Sequence, residues 1–325
     1  MSKLYTLALI FILISCDSRR IVSNDDTIFV DYDKEQIFDW NNTILIKSVV
    51  SLETADDCVL SYARKCLVSG KYIVYHDEKQ KAIFVFDEEG TFLYVIDAVG
   101  GGPDEYTEIK DMAISCDKEF ILVLDNNSVV SFDLKNGRFQ DRISLPHDIA
   151  SNFYRFANVD KQTFYFWSTE KENSLYLYEN GEMKVIEKRT GFPFVCQKFY
   201  YDSENSLNYI SDYGLFEIHG LEQEWVRKKY SFDFGYLNFS KSQMPKNVTE
   251  FEQVDDDESF KCIMSAFETD DDLFIMTVSP DGMLYNICLD KITHEVRPRR
   301  ASAMDNACWA DRCHTRYAPH RAVRQ

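Results

Sequence analysis

Basic charge is scarce in this chain. Lys and Arg number 36 against 54 Asp and Glu, for a formal net charge of −18. That balance excludes nucleic-acid binding, or attachment to an anionic membrane, through a basic face. It leaves an acidic surface suited to solubility or to cations. Histidine is scarce too, with six residues, and the sequence carries no metalloprotease helix motif, nucleophile elbow, phosphate-binding glycine loop or zinc-finger spacing. Past residue 16 no apolar run is long enough to cross a bilayer as a helix. No long amphipathic helical pattern is present either. The nine cysteines lack the closely spaced pairs of zinc and redox sites. Apart from Cys16 they are Cys58, Cys66, Cys116, Cys196, Cys262, Cys288, Cys308 and Cys313, mostly in apolar strand-like context, and they read as small buried hydrophobes. One or two disulfides stay open, with no deducible connectivity.

What the chain does have is a repeat. Tyr72-Ile-Val-Tyr-His-Asp77, Ile83-Phe-Val-Phe-Asp87 and Gly90 return as Phe120-Ile-Leu-Val-Leu-Asp125, Val129-Val-Ser-Phe-Asp133 and Gly137, at offsets of 48, 46 and 47 residues. Short strands and turns at such a period predict β-propeller blades rather than a helical solenoid. Further units begin at Thr163-Phe-Tyr-Phe-Trp167, Leu207-Asn-Tyr-Ile210 and Asp272-Leu-Phe-Ile-Met-Thr-Val278. Asp, Asn and Gly at their joints supply the backbone conformations that tight hairpins need. The aromatic clusters Phe164-Tyr-Phe-Trp167 and Phe199-Tyr-Tyr201 are expected to fill the wedges between radial sheets.

The expected fold is all-β, a six-bladed propeller of four-stranded antiparallel blades over residues 27–296, with an incomplete sixth blade as the alternative. The span from Val22 to Val296 divided by a 47-residue period is close to six. Five units are visible from Leu67 onward, and Thr27-Ile-Phe-Val-Asp31 and Thr43 to Leu52 are expected to begin a sixth. Pairing strands from both chain ends in one blade would close the ring and remove its edges. Asp233 to Ser259, with Pro245 and the acidic run Asp255-Asp-Asp-Glu258, reads as an excursion between blades. Residues 297–325 differ from the rest: seven Arg, no Lys, and only Asp305 and Asp311 as acids. This stretch reads as a shifted reading frame or a truncation, with the closing strands missing and the ring poorly closed. A basic partner-binding tail is the alternative.

The N-terminus supplies an address. After Lys3 an apolar run from Leu4 to Ile14 leads into Leu13-Ile14-Ser15-Cys16. It resembles the signal peptide and lipobox of a bacterial lipoprotein, with residues 1–15 removed, Cys16 acylated and residues 16–26 as a tether. An ordinary secretory signal is the plainer alternative. Such a protein would be anchored to a membrane rather than spanning it.

Val85-Phe-Asp-Glu-Glu-Gly-Thr-Phe-Leu93 and Gly100-Gly-Gly-Pro-Asp-Glu-Tyr106 through Ile114 resemble the linker between NHL-type propeller repeats. With Ser51-Leu-Glu-Thr54 and the lipobox, the first 145 residues are similar to the six-bladed propeller lipoproteins of Gram-negative gut-type bacteria. The resemblance implies a tethered propeller on the cell envelope, in the outer membrane on its periplasmic or surface face, and brings no catalytic residues. Gly100 to Gly102 with Pro103 reads as a crossover between blades. The sharper reading has Asp104, Glu105 and Tyr106 presenting side chains at one face of the ring, where propeller ligands meet converging loops. His76 is a candidate ligand or base, or a hydrogen-bonded blade histidine. Asp77 and Asp125, being repeat-equivalent, read as turn- or strand-capping groups. Asp26-Thr-Ile28 is similar to a bacterial O-glycosylation site, or is an ordinary strand start.

The expected role is a non-catalytic binding or scaffolding module, its partner a saccharide or a protein. Saccharide is preferred because exposed aromatics stack on sugar rings. The rival is a cation-dependent hydrolase or lactonase, with calcium possible, in the central channel. Three or more Asp, Glu or Asn oxygens converging on the channel mouth would favour the enzyme; aromatics and backbone would favour the binder. A defective copy without function is a third reading, from the tail.

Overall fold

The computed structural model describes residues 27–34, 36–37, 48–254 and 259–300. Cys16, the acidic run 255–258, and the tail beyond residue 300 with Cys308, Cys313, His314 and His320 lie outside them. Five antiparallel sheets follow one another along the chain, each built from four successive strands. The first holds β3 (Ala63–Ser69), β4 (Tyr72–Asp77), β5 (Ala82–Asp87) and β6 (Phe92–Ile96). The second holds β7 (Asp111–Ile114), β8 (Phe120–Leu124), β9 (Ser128–Asp133) and β10 (Phe139–Ser144). The third holds β11 (Phe153–Asp160), β12 (Thr163–Ser168), β13 (Asn173–Glu179) and β14 (Glu182–Lys188). The fourth holds β15 (Phe199–Tyr201), β16 (Leu207–Ile210), β17 (Glu217–Glu222) and β18 (Trp225–Asp233). The fifth holds β19 (Ile263–Glu268), β20 (Asp272–Val278), β21 (Leu284–Asp290) and β22 (Val296–Arg300), so its last strand uses the first residues of the basic stretch.

The expected count of six is therefore corrected to five blades among the described residues. The described N-terminal strands do not begin another, and residues 43–47 of the second expected strand lie outside the described residues. Strand β1 (Thr27–Phe29) lies parallel against β18, and β2 (Gln36–Ile37) parallel against β22. A β-branched apolar pattern announces a strand, but an exposed outer edge will accept either direction of partner. Here two outer edges take short strands from upstream.

Blades pack face to face because alternate residues of each strand serve opposite interfaces. In β8, Ile121 and Val123 join the apolar cluster shared by the first and second blades, while Leu122 and Leu124 join the next. In β12, Phe164 and Phe166 face the second blade, and Tyr165 and Trp167 face the fourth. Both faces are buried, so the strands read as continuous apolar runs rather than alternating ones. A large cluster around Ile218, Ile263 and Ile275 joins the fourth and fifth blades. Among the described residues no apolar cluster joins the fifth blade to the first. Phe84 and Phe86, on the free face of the first blade, pack instead with Cys58 and the segment carrying Leu52 and Leu60.

The excursion between the fourth and fifth blades is no open loop. Phe234, Leu237, Phe239, Phe251 and Phe260 are buried in the shared cluster, where Phe234 and Phe260 stack at 4.1 Å. Besides the single turn α1 (His147–Ala150), the segment holds a short helix, α2 (Val248–Val254). Asn247 and Glu250 cap it reciprocally: Asn247 Oδ1 accepts from Glu250 N at 2.9 Å, and Glu250 Oε1 accepts from Asn247 Nδ2 at 2.9 Å. Of the described cysteines, Cys58, Cys196, Cys262 and Cys288 are buried and Cys66 and Cys116 exposed.

Candidate functional site

The first strand of each blade lies innermost, and the starts of four such strands wall a cavity of about 220 Å³. Its lining is Arg64, Lys65 and His76 from the first blade, Lys110 and Asp111 from the second, Arg155 and Phe156 from the third, and Gln197, Lys198 and Phe199 from the fourth. In a chain of net charge −18, five cations and one carboxylate meet here. Successive blades contribute a basic residue at nearly the blade period: Arg64, Lys110, Arg155 and Lys198 are 46, 45 and 43 residues apart.

Each cation is held by a specific partner. Lys65 Nζ donates to Asp111 Oδ1 at 2.7 Å, linking the first blade to the second. Asp111 is 5% exposed and also accepts from Met112 N at 2.9 Å and Phe156 N at 3.3 Å. Burial alone would raise its pKa, but Lys65 and Arg155 outweigh that and hold the carboxyl below its ordinary range. Lys110 Nζ donates to Ser151 O at 2.7 Å, stands over the Tyr154 ring at 5.0 Å, and has Glu108 only at 3.9 Å. Its burial pushes the ammonium pKa down, against the pull of Glu108 and Asp125. Arg155 Nε donates to Cys196 O at 2.9 Å and its Nη1 to Tyr154 O at 2.7 Å. Among the described residues no carboxylate lies within ion-pair distance of Arg155. Lys198, 1% exposed, donates to Ser211 O at 3.0 Å and Asp212 Oδ1 at 3.1 Å, and its Nζ lies 4.7 Å from the Trp167 ring centroid. Arg64 pairs with Glu78 at the outer end.

His76 is 3% exposed, lines this cavity, and has no hydrogen-bond partner on its ring among the described residues. Burial first, then the Arg64 charge, lowers its pKa to about 4, so the ring is neutral at pH 7. A neutral imidazole here offers one donor and one acceptor.

The crossover residues stand elsewhere. Tyr106 is fully buried, its ring edge-on to Phe132 at 6.1 Å, and its hydroxyl donates to Lys81 O at 2.8 Å and Ile96 O at 3.0 Å. It presents nothing at a face of the ring. The Glu105 carboxylate folds back over the glycine run, accepting from Gly102 N at 2.7 Å; a Cβ on Gly100 would lie 1.9 Å from its Oε2. Arg142 of β10 holds the Pro103 and Glu105 carbonyls, so the loop packs beside the second blade's outer strand. Asp104 is exposed there and does not reach the central cavity. Of the four candidate ligand-binding residues, only His76 belongs to the cavity.

The repeated aspartates cap the loops that enter the inner strands. Asp77 Oδ2 accepts from Ser61 N at 2.5 Å and Tyr62 N at 2.9 Å. Asp125 Oδ1 accepts from Thr107 N at 3.1 Å, Thr107 Oγ1 at 2.6 Å and Glu108 N at 3.2 Å. No local motif marks the basic ring, because each member is one charge among strand residues. Only the period, followed for charge rather than for apolar pattern, marks them as a set.

A divalent cation does not fit this lining. Asp111 is its one carboxylate, already engaged by a lysine and two amides, and five cations repel a metal ion. Among the described residues no group of three or more His, Cys, Asp and Glu could hold a metal. No described helix is long and apolar enough to cross a membrane.

Among curated proteins none matches this chain. In structure it is similar to a protein of Bacteroides fragilis NCTC 9343 described as exported, with a TM-score of 0.68 and 16% sequence identity, covering 84% of this chain and 80% of the other. It is also similar to a member of the DUF4221 family from Bacteroides vulgatus, with a TM-score of 0.50 and 12% identity over 78% of this chain and 84% of that one. At these identities the likeness shows the fold alone. The model of the family described as a domain of unknown function (DUF4934) matches residues 27–306, most of the sequence, and the chain belongs to that family.

Proposed function

We propose that this protein is a lipid-anchored propeller of the bacterial envelope that binds a small ligand in its axial cavity without transforming it. The observation that carries the reading is convergence: side chains from four blades meet in one cavity on the ring axis, and its lining holds no serine, threonine, cysteine or tyrosine nucleophile. At about 220 Å³ the space lies below the ~300–1,000 Å³ of drug-sized sites. It suits one sugar ring or one end group. The likeness to an exported protein and the Leu13-Ile14-Ser15-Cys16 pattern support an outer-membrane anchor at Cys16. A six-bladed ring remains the proposed complete architecture, its sixth place between the fifth and first blades, where no apolar cluster joins neighbours.

The test is thermal unfolding across a panel of oligosaccharides, peptides and calcium, with product analysis of each mixture. A transition raised by one ligand that is recovered unchanged supports the binder. Turnover, or a rise with calcium alone, refutes it in favour of the cation-dependent hydrolase. In cells, Cys16→Ala is expected to move the protein from the membrane to the soluble fraction; unchanged membrane retention would refute the anchor.

A further inference from the structure

The axial cavity carries more than a place for a ligand, because its wall is chemically one-sided. Among the groups that partner the wall, six cations (Arg64, Lys65, Lys110, Arg155, Arg189 and Lys198) face the ion-paired carboxylates Glu78, Glu108, Asp111 and Asp212, with Asp125, itself paired with Arg142, also acting on Lys110. Glu78 and Glu108 are the exposed members, at 41% and 46%, and Glu108 stands 3.9 Å from its lysine. Exposed carboxylates at that range offset little of a buried charge. Lys110 and Arg155 thus keep much of their field directed into a half-enclosed space.

Burying uncompensated cations is costly unless something anionic shares the site. Arg155 is the clearest case. Three of its contacts go to the backbone carbonyls of Cys196, Lys110 and Tyr154, which orient the guanidinium, and the one carboxylate it acts on, Asp111, lies beyond ion-pair distance and is shared with Lys65. His76 is the second, independent sign. Its ring lines the cavity without a hydrogen-bond partner from the described residues, so its one donor and one acceptor are open to whatever occupies the space.

We propose that the cavity is an oxyanion site, taking the carboxylate or sulfate of a single acidic sugar unit, with Arg155, Lys110 and Lys65 on the charge and His76 on a hydroxyl or anionic oxygen. This deepens the binding reading and rests on it. The size of the space limits the occupant to one ring with its charged substituent. A neutral sugar would leave the cations unmatched, which is a basis for rejecting it.

The experiment is titration of the full chain at fixed ionic strength with glucuronate, inorganic sulfate and glucose, read by calorimetry and by the His76 ring resonances. Glucuronate is expected to bind saturably and shift His76, sulfate to compete with it, and glucose to do neither. Arg155→Met should weaken glucuronate binding by about tenfold or more, the scale of one charge-assisted hydrogen bond. Should that variant fail to fold, Lys65→Met, at the partly exposed member of the three cations on the charge, should still weaken binding severalfold. Sulfate binding without glucuronate would show a bare anion site and refute the sugar. Glucose binding as tightly as glucuronate, unaffected by either variant, would overturn the oxyanion assignment while leaving the cavity a binding site. No saturable shift of His76 with any of the three would overturn both readings.

Discussion

Asp212 is the residue whose loss the structure predicts most sharply. Its carboxylate is buried between the third and fourth blades, accepting from Trp167 Nε1 at 2.8 Å and Lys198 Nζ at 3.1 Å and pairing with Arg189 Nη1. The ionic side chains are 0% to 4% exposed, so water cannot replace a lost partner. Removing one member of such a buried network strands the others, at about 3–5 kcal/mol. Asp212→Asn keeps the shape and the capacity to accept one hydrogen bond, and leaves two buried cations without their counter-charge. For a domain of this size about 2–4 °C of melting temperature accompany each kcal/mol, so a fall of ~6–20 °C is expected. Fluorimetric melting and urea midpoints of the purified protein measure it. The Asp212→Asn/Lys198→Met pair should recover part of the loss, with a coupling of about 0.5–3 kcal/mol, because one stranded charge is gone. A melting temperature for Asp212→Asn within about 2 °C of the parent would refute the reasoning and show that water or rearrangement reaches this site.

Two further outcomes follow from the same geometry. Gly137 sits at φ +70° in the turn before β10, and an added Cβ would lie 2.8 Å from two carbons of the Tyr94 ring on the neighbouring blade. Gly137→Ala combines backbone strain with a clash across a blade interface, and should cost about 2 kcal/mol or more in urea unfolding; a parental midpoint would contradict this. Acid stability should show two separate windows. His76 has its pKa depressed from 6.5 to about 4, so its neutral form contributes fully above about pH 6.5, and that contribution, at most ~3 kcal/mol, is lost as pH falls towards 4. Glu217, held down to about 2 by its hydrogen bond to His219 and by Lys228, contributes above about pH 4.5 and is lost as pH falls towards 2. His76→Asn should flatten the upper window of the stability profile and leave the lower one intact; an unchanged upper window would assign it to other groups.

The sequence by itself determined the strand-and-turn repeat, and with it the blade. Apolar runs such as Phe120 to Leu124 read as strands because both faces are buried, and the aspartates of Asp77 and Asp125 read as caps because a repeated residue does a repeated job. It was silent on partners. Thr27–Phe29 was legible as a strand, but which edge it would join depends on the free edge of a blade formed 200 residues later. Tyr106 looked like a loop residue open to a ligand because its neighbours are glycine, proline and acids; only the packed structure turns it inward against Phe132. The excursion before the fifth blade read as a loop because of its proline and acidic run, while its four phenylalanines and Leu237 were what the blade interface needed. The candidate site lies at the far end of this scale. Arg64, Lys110, Arg155 and Lys198 are distant in the chain and unremarked one by one, and they become a cationic wall only because a propeller brings the start of every inner strand to one axis.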